Sequence, residues 1–164
     1  MTRLFFALFL LAASAGSAAA HGDISNLPDS VQIMQYQMLL YMDPNDAETK
    51  NSLAMAYFRT GKLAEAAAEL EGVLKKDPNN FDALDGMGVV LLKQKKAEEA
   101  MKYLERALAV NSKDALLHVH LSLAHKLLQQ PEQAAAALKK AGEMAPSAEG
   151  AAAVQKEMQL LTNS

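Results

Sequence analysis

The chain has 164 residues, no cysteine and a formal charge of −3. The missing thiols exclude disulfides, thiolate metal sites, covalent haem attachment and a lipid-modified cysteine. A mildly acidic chain without a basic run argues against nucleic acid or an anionic membrane as the main partner, and the length leaves no room for two large domains.

From the start of the chain, Thr2-Arg3 forms a short positive end, Leu4 to Ala13 an apolar run, and Ser14 to Ala20 a tract of small residues. This is the pattern of a secretory signal peptide over residues 1–20. Cleavage after Ala20 is expected, leaving His21 first and, with Arg3 gone, a chain one charge more negative. The competing reading is an uncleaved anchor. A span needs about 20 strongly apolar residues, whereas this run is shorter and diluted by serine and glycine, so no membrane insertion is expected after signal removal. Export without disulfides points to a bacterial periplasm or to secretion.

Residues 21–29 are polar, contain Pro28 and read as a linker. A free amine on His21 could join its ring in holding copper, but such a site needs a second histidine and the nearest in sequence is His118. Ser30 to Met42 is an apolar helical run stopped by Asp43-Pro44-Asn45-Asp46.

Residues 47–80 carry two helical runs. Lys50, Leu53, Ala54 and Tyr57 share one face of the first, and Leu63, Ala66, Ala67, Leu70, Val73 and Leu74 follow the break at Thr60-Gly61. Gly61 can adopt the positive φ that closes the first helix, and Asp77-Pro78 forbids continuation of the second. The unit is therefore a helix hairpin. It returns over residues 81–114 and 115–148, a spacing of 34. Alanines 66, 100 and 134 coincide, as do leucines 70, 104 and 138. Pro44, Pro78, Ser112 and Pro146 share one phase, with Asp46, Asn80 and Asp114 two residues later as helix caps. The units read K-x-x-L-A-x-x-Y, L-x-x-M-G-x-x-L and H-x-x-L-S-x-x-H, each followed by A-x-x-x-L.

This pattern resembles the tetratricopeptide repeat, without its tryptophan and with its tyrosine in the first unit alone. The resemblance implies an all-α fold: a right-handed α-solenoid of three hairpins with an extra N-terminal helix and a C-terminal capping helix. In that register, residues 30–46 are half a repeat, a second helix lacking its first. Ile33, Tyr36, Leu39 and Leu40 would face the array, while Met34, Met38 and Tyr41 point elsewhere. A terminal repeat normally presents a polar outer face. Either the linker folds back over these methionines, or the helix rotates, or the face meets another chain, in self-association or with a partner. Residues 149–164 form the capping helix and tail, with Val154, Met158 and Leu161 turned inward.

The resemblance also implies a concave groove that binds protein segments, formed by the face of each first helix not used in packing. Positions 2, 5, 9 and 12 of those helices supply Asn51, Met55 and Phe58, then Asp82, Asp85, Val89 and Leu92, then Leu116, Val119 and Leu123, with Glu48 and Lys126 at the edges. The expected groove is acidic at one edge and apolar along its middle. It suits an apolar segment flanked by basic residues and not a terminal carboxylate, which Asp82 and Asp85 would repel. Partial filling by the C-terminal helix is the competing account.

No metal site is expected from the third unit's histidines. His118 and His120 lie on opposed sides of a helix, and His118 and His125 stand about 10 Å apart along it. His118 and His125 fall on packing positions, and His120 at the groove edge. Gly86-x-Gly88 lies inside a helix with no strand before it and is no phosphate cradle, and no nucleophile, base and acid can be assembled. A non-catalytic adaptor without cofactor is therefore expected. The alternatives are an assembly factor for periplasmic complexes, similar to the repeat modules that present apocytochromes c, or a metal- or ligand-binding protein using His21 or His120.

Overall fold

Helix ends are set by side chains that recur once per unit. The structure, a computed structural model, describes Ile24 and residues 26–162. The expected signal sequence and His21 lie outside the described residues. Among the described residues eight helices succeed one another: α1 (Asp29–Met42), α2 (Ala47–Arg59), α3 (Leu63–Lys76), α4 (Phe81–Lys93), α5 (Ala97–Val110), α6 (Ala115–Leu127), α7 (Pro131–Met144) and α8 (Ala148–Thr162). No strand occurs among the described residues.

Each first helix begins at the expected cap. The side-chain oxygens of Asp46, Asn80 and Asp114 accept from the backbone N–H groups of Glu48 (3.1 Å), Ala83 (3.1 Å) and Leu117 (2.9 Å). Each also ends alike, in a left-handed residue at the same place: Gly61 (φ +76°), Lys95 (φ +61°) and Gln129 (φ +58°). The N–H one residue on then bonds back to Tyr57, Leu91 and His125 carbonyls at 2.9, 3.0 and 2.9 Å, the hydrogen bond that closes a helix around a left-handed residue. Only the first of these three turns has the residue without a steric penalty.

The hairpins α2–α3, α4–α5 and α6–α7 stack so that each first helix also meets its counterpart in the next unit. Ala66, Ala100, Leu70 and Leu104 are fully buried at equivalent places in the first two units. Ala134 and Leu138 of the third are only half-buried, because the following helix α8 covers α7 far less than α4 covers α3 or α6 covers α5. Gly88 is small for a steric reason. A Cβ there would stand 2.6 Å from Leu104 Cγ and closer still to one of its methyls.

Both ends of the array are half-units. α1 begins at Asp29, one residue before the expected start, and buries Ile33 against α2 with Tyr36 and Leu40 beside it. Gln32 is buried too, donating to Leu27 O (2.7 Å) and accepting from Arg59 Nη2 (2.9 Å). Arg59 Nε also reaches Asp29 Oδ1 at 2.7 Å. α8, capped by Ser147 through the Gly150 N–H (3.0 Å), lies where the first helix of a next unit would stand, against α6. Val154 joins Val119 and Ala141 in a small separate core, and Leu161 is buried in the main one.

Candidate functional site

α2, α4 and α6 line the inner face of the array, with the start of α1 at one end and α8 at the other. The groove they leave has a volume of about 860 Å³. Asn51, Met55, Asp82, Asp85, Val89 and Leu116 line it, together with Glu48.

Four expected lining residues are not there. Phe58, Leu92 and Val119 are buried in the core, Leu123 packs half-buried against it, and Val89, although it borders the groove, is itself buried. The expected apolar middle is therefore filled. A first helix inside a stack is touched by its own second helix, by the preceding second helix and by the first helices on either side, so less of its circumference stays open than a two-face division allows. At α6 the covering is completed by α8, whose Val154 closes over Val119.

The open stripe instead includes position 6 of each first helix: Ser52, Gly86 and His120. Two small residues at equivalent positions were the available sign, since they keep the floor low. A Cβ on Gly86 would press on Leu70 at 3.2 Å.

His120 is buried, not at an edge. Its Nδ1 lies 2.7 Å from Asp85 Oδ1 on α4 and its Nε2 lies 3.2 Å from Glu157 Oε1 on α8. Burial alone disfavours the charged ring. The Asp85 charge and hydrogen bond, followed by those of Glu157, outweigh burial and raise the pKa to about 9. At neutral pH the ring is an imidazolium donating from both nitrogens, which joins α4, α6 and α8. With both nitrogens engaged, His120 is no longer a candidate metal ligand. His118, also buried, pairs through Nε2 with Ser112 O at 3.0 Å, and half-buried His125 through Nδ1 with Gln130 Oε1 at 2.7 Å. Among the described residues no three histidine, aspartate or glutamate side chains are placed so that they could hold one metal ion.

The groove is acidic. Asp29, Glu48, Asp82, Asp85 and Glu157 line it against Arg59, Lys156 and the His120 imidazolium; Arg59 is already paired with Asp29, and His120 with Asp85 and Glu157. Glu48 and Asp82 form no ion pair among the described residues and occupy the same first-turn position in successive units.

Outside the groove, α1 exposes a lengthwise stripe: Met34, Met38, Tyr41 and Met42 are 63%, 69%, 89% and 78% accessible. Met34, Met38 and Tyr41 thus point away from the array, together with a fourth residue.

Stacked hairpins with a concave inner face define a helical-repeat array, a fold that serves in general as a non-catalytic scaffold for protein interactions. The tetratricopeptide repeat model matches residues 36–82, 51–115 and 86–149, and the chain belongs to that family. Among curated proteins it is similar to a BBSome complex member BBS4 homolog of Drosophila melanogaster, 24% identical over 119 residues that cover 73% of this chain and 24% of that protein. It is likewise similar to BBSome complex member bbs-4 of Caenorhabditis elegans, 26% identical over 114 residues, 70% of this chain and 25% of that one. The chain thus spans about a quarter of the length of these relatives. Among solved structures, MamA 41-end from Desulfovibrio magneticus RS-1 superposes with a TM-score of 0.63 at 24% identity, covering 82% of this chain and 80% of that one. The first TPR domain of human RPAP3 gives 0.60 at 23% identity, covering 73% and 95%. At these identities the two structures share the fold and nothing finer.

Proposed function

We propose that the chain is an adaptor that holds a segment of a partner protein in the groove of α2, α4 and α6. The observation that carries the reading is the groove itself: an open concavity of about 860 Å³ that the cap helix narrows but does not fill. An extended segment fits it, because the floor is lowered by Ser52 and Gly86 and the walls offer both apolar surface at Met55 and Leu116 and polar groups at Glu48, Asn51 and Asp82. The curated relatives' names, which call each a BBSome complex member, accord with work of this kind. The chain works after export, as a periplasmic or secreted protein beginning at His21, and N-terminal sequencing of the exported form checks that start.

The test is affinity capture from a periplasmic extract with the wild type beside Ser52→Tyr, which fills the groove floor at a half-buried position. A protein held by the wild type and lost from the variant supports the groove. Identical capture by both sets it aside.

A second surface is favoured by the α1 stripe. Three methionines and a tyrosine exposed along one helix make an adaptable apolar contact for a second copy or for a partner. If Met38→Glu leaves the mass in solution and the captured proteins unchanged, α1 is not an interface.

A further inference from the structure

Asn51 is a buried residue on the groove wall, 9% accessible, and its side-chain amide is oriented by its surroundings. Asn80 Oδ1 must be an acceptor, because it caps α4 by accepting from the Ala83 N–H at 3.1 Å. It is therefore Asn51 Nδ2 that faces Asn80 Oδ1, at 3.0 Å. That leaves Asn51 Oδ1 as the other end of the amide, buried and without a hydrogen-bond partner among the described residues. A buried carbonyl in this condition lacks a donor, and supplying one removes a desolvation penalty.

The groups around it narrow the kind of donor. Glu48 precedes Asn51 by one turn of α2, and Asp82 and Asp85 hold the equivalent positions on α4. Glu48 and Asp82 carry charge with no cation paired to them among the described residues, Arg59 is held by Asp29, and Asp85 is shared with His120. An acceptor-only ligand such as a carboxylate or phosphate would meet one orphan acceptor and a cluster of negative charge. A neutral amide would satisfy the carbonyl and leave the carboxylates unanswered. A guanidinium or ammonium answers both, and its aliphatic stem can lie along Met55.

We propose that Glu48, Asn51, Asp82 and Asp85 form a socket for one cationic side chain, arginine or lysine, of the segment bound in the groove. The socket rests on the groove being the binding surface and names the chemistry of its occupant. The cation donates to Asn51 Oδ1 and lies between the carboxylates of Glu48 and Asp82, while Asp85 stays shared with His120. One anchored cation fixes the register of an extended segment, leaving the half-buried Leu116 to meet a neighbouring apolar side chain of the same segment.

A random dodecapeptide display library panned on the wild type and, in parallel, on Ser52→Tyr tests the socket and the groove separately. The expected result is peptides retained by the wild type alone, with arginine or lysine at one fixed position. Replacing that residue by citrulline or norleucine should weaken binding roughly tenfold or more. The double variant Glu48→Gln/Asp82→Asn, altered at two exposed positions, should lose a similar factor for the cationic peptide and little for the neutral one. Exchange of arginine for lysine tells the two cations apart. Groove-dependent peptides without a basic residue, or citrulline forms that bind equally well, would overturn the socket and leave the groove standing. Failure to enrich any peptide that Ser52→Tyr loses would overturn the groove and the socket together.

Discussion

His120 joins three helices through one protonated ring, and its charge makes stability depend on pH. Its pKa lies at about 9 in the folded chain against about 6.5 when unfolded. The folded state binds the proton more tightly, so the contribution is fully present below about pH 6.5 and is lost as pH rises through about 9, amounting to something on the order of 3 kcal/mol. Thermal unfolding followed from pH 6.5 to pH 10 should show a larger loss in the wild type than in His120→Gln; parallel curves would dismiss the ion pair as a source of stability. The left-handed residues carry a second expectation. Lys95 and Gln129 have side chains at φ +61° and +58° where Gly61 has none. Lys95→Gly and Gln129→Gly should each stabilise by about 1 kcal/mol and Gly61→Ala should destabilise by a similar amount, all readable as shifts in denaturant midpoint.

Among the elements, α4 and α5 are fitted to each other at one point. Gly88 leaves the space that Leu104 fills, so the two positions fail in opposite ways. Leu104→Ala opens a cavity and should cost about 2–5 kcal/mol. Gly88→Ala overpacks the same place and should cost about 1–3 kcal/mol. Combined in one chain they should cost less than the sum, since the truncated side chain makes room for the added methyl; strict additivity in chemical denaturation would speak against the contact. Much of the helical layout is legible in the sequence because the period of 34 carries caps and small packing residues along together, whereas of the three left-handed turns only the one at Gly61 is marked by its residue. Asp46, Asn80 and Asp114 cap where their phase requires, and Ala66, Leu70, Ala100 and Leu104 are buried where theirs does.

For the whole molecule, the groove is less legible than the fold. A helical projection sorts residues into faces but does not say how many neighbours a helix has. In the stack, Phe58, Leu92 and Val119 are covered by units that a projection of one helix cannot show, while Ser52, Gly86 and His120 come to the surface of the groove. Long-range pairs such as His120 with Glu157 and Asn51 with Asn80 depend on the relative placement of residues 37 and 29 positions apart in the chain, which the periodicity limits but does not fix. The outer stripe on α1 is easier to read, because among the described residues α1 meets the array chiefly through α2.

Methionine methyls report on the two candidate surfaces at once. Met55 lies in the groove, whereas Met34, Met38 and Met42 lie on the exposed face of α1. A methyl spectrum of the chain labelled at methionine, recorded before and after addition of a partner found by capture or of a peptide found by panning, decides between them. If the groove is the binding surface, the Met55 methyl shifts while those of Met34, Met38 and Met42 stay in place, and Ser52→Tyr abolishes the shift. Movement of the α1 methyls with Met55 unchanged would refute the groove and make α1 the working surface.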